Sequence, residues 1–446
     1  MRETLSFPAV PTDSIESLEP PAARLERRLL ILAGLFIAVN LLALSILRPD
    51  SVSTNGLALL AWIACAGVGH VVLNWLLPHR DGLLFALVMF LSGWGLVLID
   101  RLAPRFADRQ TLWLVISTAA LLLVVALPRI LDWLRQYRYL LLTGGLLLLG
   151  STILLGSNPS GQAGAPQFWL GFAGIYFQPS EPLKIILVVF LASYLAEQYP
   201  SLRAEGLVTG NRLLALSPRV FGPILLMWGL SVVVLVWQRD LGTAVLFFAV
   251  FLLLIYVASG TTLILFSGAG LIVLAGLAAY SLFDVVQLRV DIWLNPWPEA
   301  DGRAYQIVQS LQAIASGGVF GQGIGQGYPM YIPVVHSDFI FAAMAEEFGL
   351  IGVITTIAVF IVIVVRGLNI AALHQGQPFR ALLAIGLSAV IGVQSLMIMG
   401  GVVRLLPLTG VTLPFVSYGG SSLLTSFVLI GLLLRLSERD KAQFTT

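Results

Sequence analysis

The chain has 446 residues, 58% of them hydrophobic and only 11% charged, with a net charge of +2. Its apolar residues fall in long uninterrupted runs rather than amphipathic stripes, which excludes an ordinary soluble domain and points to an all-α polytopic membrane protein. So small and scattered a basic excess excludes a nucleic-acid surface, and a single cysteine, Cys65, excludes a disulfide framework or Cys-based metal site within one chain.

Residues 1–28, with Pro8, Pro11, Pro20 and Pro21 among mixed charges, read as a disordered tail. Crossing a hydrocarbon core of roughly 30 Å takes about 20 apolar residues. Twelve segments meet that rule, near 29–47, 55–77, 83–100, 111–128, 139–156, 181–197, 219–237, 241–258, 262–283, 339–365, 381–400 and 415–435. The first has no short n-region before it and no cleavage site, so it reads as a retained helix rather than a signal peptide.

An even number of spans places both termini on one side, and basic residues say which. With the termini cytoplasmic, the inner loops collect Arg27, Arg28, Arg80, Arg129, Arg135, Arg138, Arg203, Arg212, Arg366, Arg380, Arg435, Arg439 and Lys441. One outer loop, 101–110, runs against this count with Arg101, Arg105 and Arg109. Two outer connections are long, 157–180 and 284–338, and long loops in compact proteins are usually functional or disordered. The second holds "AYQIVQSLQAIASGG", where Ile307, Leu311 and Ile314 recur at helical spacing and predict a short helix at the membrane surface.

Five stretches carry polar chemistry. "FQPSEPLK" (177–184) places Glu181 and Lys184 three apart on one helix face, either a snorkelling interface pair or an anion site. Lys184 is the only lysine before Lys441, a compact ammonium of the kind that binds phosphate as a point charge. "WQRDLGTA" (237–244) offers Arg239 and Asp240, which a tight turn alone would explain. "GGVFGQGIGQG" (317–327) lacks the spacing of a dinucleotide site and reads as a flexible or ligand-approaching loop.

"HSDFIFAAMAEEFG" (336–349) puts His336 and Asp338 at the outer start of the tenth segment, where Asp338 serves either as a helix cap or as a reacting carboxylate. Glu346 and Glu347 follow about 12–13 Å further along the helix, so they cannot act on the same bond. They are expected to be structural, one acid pairing with a base on a neighbouring helix. The fifth stretch, "LTGVTLPFVSYGGSSLL" (408–424), is a break at membrane depth, tolerated only where protein buries it or it lines a cavity, and it offers Ser417 and Gly419 to a ligand.

In this order the five stretches resemble the SEDS family (shape, elongation, division and sporulation; RodA/FtsW-like proteins), over residues 83–436. The resemblance implies a bundle of ten core helices, with 29–82 an N-terminal addition, 284–338 the large extracytoplasmic loop and 437–446 a cytoplasmic tail. It implies a peptidoglycan glycosyltransferase of the bacterial cytoplasmic membrane that polymerises lipid II for elongation or division, working with a class B penicillin-binding protein. The family's essential acid falls on Asp338, and its other motif residues on Glu181, Lys184 and Asp240. Gln167 and Phe168 replace an expected basic pair, Arg239 stands where Pro is usual, and Arg404 is added before the last motif, so basic groups look redistributed around the site.

Joining a β-1,4 bond to an α-linked sugar diphosphate inverts the anomeric carbon, which needs a base and a stabiliser for the leaving group. Asp338 is the expected base. Lys184, with Arg239 or Arg404 or a divalent cation such as Mg or Mn, is expected to offset the diphosphate charge, and Glu181 to orient Lys184 or help hold the cation. A lipid-linked sugar flippase or transporter, and a non-catalytic scaffold for the transpeptidase, are the rival classes; no repeat relates the two halves as a transporter would require.

Overall fold

The protein is described from a computed structural model covering residues 21–49, 52–158, 169–172, 175–209, 229 and 240–438. The seventh predicted segment apart from residue 229, and Gln167, Phe168 and Arg239, lie outside these residues, as do 1–20 and the tail beyond 438.

In lipid every backbone polar group needs an internal partner, so uninterrupted apolar runs become helices. The fourteen described helices are α1 (Pro21–Leu47), α2 (Val52–Leu76), α3 (Leu84–Leu102), α4 (Ala107–Ala126), α5 (Ile130–Gln136), α6 (Arg138–Leu155), α7 (Ser180–Thr209), α8 (Leu241–Ser259), α9 (Leu263–Leu282), α10 (Asp284–Leu294), α11 (Tyr305–Gly317), α12 (Ile340–Leu373), α13 (Pro378–Val402) and α14 (Gly420–Ser437). Ten of them are long and apolar enough to cross a membrane, and α7 covers the sixth predicted segment. A two-stranded antiparallel hairpin, β1 (Leu170–Phe172) and β2 (Ile175–Phe177), occupies part of the 157–180 connection, with Leu170 opposite Phe177. Two boundaries differ from expectation. Helix α1 begins at Pro21, inside the predicted tail, because Glu26 is buried against Arg80 and His70 at 2.6 and 2.7 Å. Helix α7 runs to Thr209, well past the predicted end of the sixth segment at 197.

Helices α3, α7, α13 and α14 form the interior, while α9 presents Phe266, Leu274 and Leu277 outward. Helices α1 and α2 pack directly on the rest: Trp62 donates to the Met89 carbonyl at 2.9 Å, and Phe36 meets Phe90, Trp94 and Phe348.

The glycine-rich stretch is not a flexible loop. Gly349 breaks α12 with φ 63°, which strands carbonyls and N–H groups at the kink. Backbone of 317–327 satisfies them: Gln322 and Gly323 donate to the Glu346 and Glu347 carbonyls at 2.9 and 3.0 Å, and Leu350 donates to the Gly318 carbonyl at 3.0 Å. A Cβ on Gly321 would lie 2.2 Å from the Glu347 carbonyl oxygen, so only glycine permits this approach.

The two acids finish the same joint. Glu346 accepts from the Tyr328 N–H at 2.8 Å, and Glu347 accepts from the Gly325 N–H and from Arg101 Nε at 3.2 and 3.0 Å. Arg101, on α3, also donates to the carbonyls of Gly325 and Gly327. The expected pairing across helices is therefore present, and Arg101 is a buried structural cation rather than a loop charge. Removing one partner of a buried pair leaves an uncompensated charge, a loss of about 3–5 kcal/mol. Thermal unfolding in detergent should show Arg101→Met strongly destabilised, with Arg101→Met/Glu347→Gln recovering part of the loss.

Candidate active site

The Asp338 cavity is lined by α10, the start of α11, the residues just before α12, the end of α13 and the segment that follows it. Helix α12 starts at Ile340 with Phe339 before it and no side-chain cap, so Asp338 does not act as the cap. Its Oδ1 accepts from the Ser337 hydroxyl at 2.8 Å, and its carboxylate lines a cavity of about 210 Å³. That is smaller than the roughly 300–1,000 Å³ of drug-sized ligand sites, so the cavity holds part of a large substrate rather than all of it. Apolar walls come from Leu288, Ile292, Phe339 and Leu408, and polar groups from Arg289, Arg404, Gln306 and Asp338.

Residues 403–419, between α13 and α14, hold Asp338 in place. The Ser417 hydroxyl donates to the Ser337 carbonyl at 2.6 Å and accepts from the Leu413 N–H at 3.0 Å, while the Tyr418 N–H donates to the His336 carbonyl at 2.9 Å. The rings of Phe106 and Tyr418 stack at 4.6 Å, and His336 lies against both. Burial and the nearby Arg105 hold the His336 imidazole below its ordinary pKa, so it packs as a neutral ring. Burial likewise pushes the Asp338 carboxyl above the usual range, against the smaller opposing effects of Ser337 and Arg289.

Glu181, Lys184 and Asp240 form a second centre. Lys184 Nζ donates to Glu181 Oε1 at 2.8 Å and to Gln394 Oε1 at 3.0 Å, and is 2% exposed. Gln394 passes the contact on, donating to the Thr412 carbonyl at 2.8 Å. Asp240 caps α8 by accepting from the Thr243 N–H at 3.2 Å, and Ser180 donates to its other oxygen at 3.5 Å. Burial is the main cause raising the Asp240 pKa. Glu181 and Lys184 thus form the i,i+3 pair that their spacing predicts, but inside the protein, and neither lines the Asp338 cavity. Both centres meet the 403–419 segment: Asp338 through Ser417, Lys184 through Thr412.

Gly419 begins the cap of α14, and Arg404 donates from Nε and Nη2 to the carbonyls of Trp293 and Leu294, both at 3.0 Å. Arg289 was not singled out by sequence. It sits in α10, its Nη1 donates to the Thr409 carbonyl at 3.3 Å, and it lines the Asp338 cavity. Only its place within the predicted long loop hinted at a role.

The family model described as cell cycle protein, covering FtsW, RodA and SpoVE, matches residues 76–442. The chain belongs to the FtsW/RodA/SpoVE family. It is 37% identical over 402 residues to the peptidoglycan glycosyltransferase RodA of Mycobacterium tuberculosis, covering 87% of this chain and 84% of that one. The RodA of Mycobacterium leprae is 33% identical over 442 residues, 95% of this chain and 93% of the relative. A probable peptidoglycan glycosyltransferase FtsW of Geobacter metallireducens is 34% identical, covering 75% of this chain and 86% of that one.

Among solved structures, a chain from a peptidoglycan synthase complex that coordinates polymerization and crosslinking superposes with TM-score 0.66 at 27% identity, over 82% of this chain and 99% of that one. The rod shape determining protein RodA of Thermus thermophilus superposes with TM-score 0.57 at 25% identity, over 81% of this chain and 98% of that one.

The raised pKa of Asp338 fixes a sign. A carboxyl whose folded pKa lies above its ordinary value costs stability wherever it must be ionised, and that cost disappears as pH falls through the folded pKa. Asp338→Asn should therefore unfold at higher temperature than the wild type near neutral pH. The difference should shrink as pH falls through the raised pKa toward the ordinary carboxylate value; a difference independent of pH would contradict the assignment.

Proposed function

We infer that this chain is a peptidoglycan glycosyltransferase with Asp338 as its general base. Its place in the family and the names of its relatives support the activity. The observation that carries the residue assignment is that, among the described residues, one carboxylate lines the cavity between its apolar walls, positioned by Ser337 and the Ser417 network rather than engaged as a helix cap. The substrate is lipid II, an undecaprenyl-linked disaccharide diphosphate. An aspartate with an ordinary pKa of about 3.9 is a weak base at neutral pH, and desolvation strengthens it.

In the proposed step the acceptor's 4-hydroxyl oxygen attacks the donor's anomeric carbon, the bond from that carbon to the phosphate oxygen breaks, and the configuration inverts. The hydroxyl proton passes to Asp338, and the bond's electron pair leaves on the diphosphate. Ser337, hydrogen-bonded to Oδ1, leaves Oδ2 to receive the proton. Glu181 and Lys184 act indirectly by fixing, through Gln394, the loop that carries Thr412 and Ser417, and Asp240 by capping α8, which meets that loop at Gly242.

Among the described residues no three of His, Cys, Asp and Glu converge to cage a metal. An Mg or Mn ion bound there would draw part of its coordination from the phosphates of the substrate.

The partner is a class B penicillin-binding protein; the structural neighbour comes from an assembly that joins polymerization to crosslinking. The membrane is the bacterial cytoplasmic membrane, with both termini in the cytoplasm and Asp338 on the far side. Burial of Arg101 against Glu347 supports this orientation, because it removes one of the charges that ran against the count of basic residues.

Incubating the chain and its partner with labelled lipid II tests the reading. Wild type should form glycan polymer, and Asp338→Asn should lose about 10²-fold or more in rate, as expected when a general base is removed. Polymer from a folded Asp338→Asn variant at the wild-type rate would remove Asp338 from its role. Lipid II moved across a vesicle membrane without polymer would indicate a flippase.

A further inference from the structure

Among the described residues three arginines line the Asp338 cavity, and their hydrogen bonds distinguish them. Arg303 is exposed and ion-paired with Glu299 at 2.6 Å, one turn before it. Arg404 braces the end of α10, with Nε and Nη2 both bound to backbone carbonyls. Arg289 has its Nη1 anchored to the Thr409 carbonyl, and among the described residues this is its one hydrogen bond.

The rest of the Arg289 guanidinium converges with Asp338. A Cβ placed on Gly410 would lie 3.6 Å from Arg289 Nη2 and 3.8 Å from Asp338 Oδ2, so both groups reach the same point of the cavity from different elements. Arg289 acts on Asp338 through its charge, without a hydrogen bond. Gly410 has φ 74°, and its missing side chain leaves that point open. A guanidinium is charged at every accessible pH and presents planar paired donors to phosphate oxygens, and apolar walls strengthen its field. The chain's lone site-end lysine cannot do this directly, since Lys184 is buried and bound to Glu181 and Gln394.

We propose that Arg289 binds the donor's diphosphate beside Asp338 and takes up the charge that develops as it leaves. The proposal rests on the glycosyltransferase reading for the identity of the anion. The bond from the anomeric carbon to the phosphate oxygen breaks with its electron pair going to that oxygen, where Arg289 donates, while the proton goes to Asp338. Anchoring at Thr409 sets the plane of the guanidinium before substrate arrives, so less ordering remains to be done on binding.

Two measurements test it. In the complex of full-length chain and transpeptidase, Arg289→Gln should lower kcat/KM for lipid II by about tenfold or more, the scale of a lost hydrogen bond to a charged group. Arg289→Lys, which keeps the charge without the planar fork, should recover part of it. Binding without turnover is read from quenching of tryptophan fluorescence by inorganic pyrophosphate in the Asp338→Asn chain. There, adding Arg289→Gln should weaken the affinity by about tenfold or more, while Arg109→Gln, an exposed arginine on α4, should leave it unchanged.

Melting in detergent confirms that each variant is folded, and Arg289→Lys serves if Arg289→Gln is not. Unchanged kcat/KM and unchanged pyrophosphate affinity in Arg289→Gln would overturn the proposal. Pyrophosphate binding that depends on Arg289 in a wild-type complex that makes no polymer would overturn the glycosyltransferase reading and leave the anion site standing.

Discussion

Non-helical backbone in an apolar surrounding must have every polar group satisfied, and the 403–419 segment is where this protein meets that demand. Its carbonyls and N–H groups are answered by Arg289 at Thr409, Gln394 at Thr412 and Ser417 at Leu413, and its own groups answer His336 and Ser337. Arg404 and Phe415 take positive φ values of 60° and 68°, conformations that cost of order 1–3 kcal/mol each and persist only when the surroundings over-determine them. Here they do, because the same bonds that satisfy the segment bring Asp338, Arg289 and the Lys184 centre to one loop. A Cβ on Gly242 would lie 2.4 Å from the Thr409 carbonyl oxygen, so α8 is closely fitted to that loop.

A second break follows the same logic on another side of α12. Gly349 opens the helix, the 317–327 backbone closes it, and Glu346, Glu347 and Arg101 hold the joint. The two breaks explain why one helix bears acids with different duties. Asp338 precedes the first turn, where carboxylate oxygens face a cavity; Glu346 and Glu347 sit where stranded backbone needs anchoring. Both sets of partners are distant in sequence: the 403–419 segment locates the start of α12, and α3 with the 317–327 backbone locates its break.

What was legible in the sequence follows from range. Eleven of the twelve predicted segments coincide with described helices, because a run of about 20 apolar residues needs only its neighbours to declare itself. The Glu181–Lys184 pair and the short helix at 305–317 were legible for the same reason, being set by spacing within a turn or two. The close packing of the glycine-rich stretch was not legible because its glycines answer to a helix break farther along the chain, and no local signal separates close packing from flexibility. The start of α1 was missed because Glu26 looks like a tail charge until Arg80 and His70 are folded against it. Arg289 escaped notice among many arginines because its distinction is the company it keeps at Gly410.

The separation of Lys184 from Asp338 changes how basic residues in this site should be weighed. A lysine that contacted phosphate would have to present its ammonium to the cavity, yet Lys184 Nζ is held by a carboxylate and an amide inside the bundle. Taking one partner from such a buried pair is strongly destabilising, and here the damage would reach Thr412 through Gln394. Loss of activity on changing Lys184 would therefore follow from a displaced loop as readily as from a lost phosphate contact. A cation placed to meet a substrate needs the opposite arrangement: one anchor to set its direction, and the remaining donors turned toward open space. Among the arginines lining the cavity, that description fits Arg289, tied at Thr409 and turned toward the opening that Gly410 leaves beside Asp338.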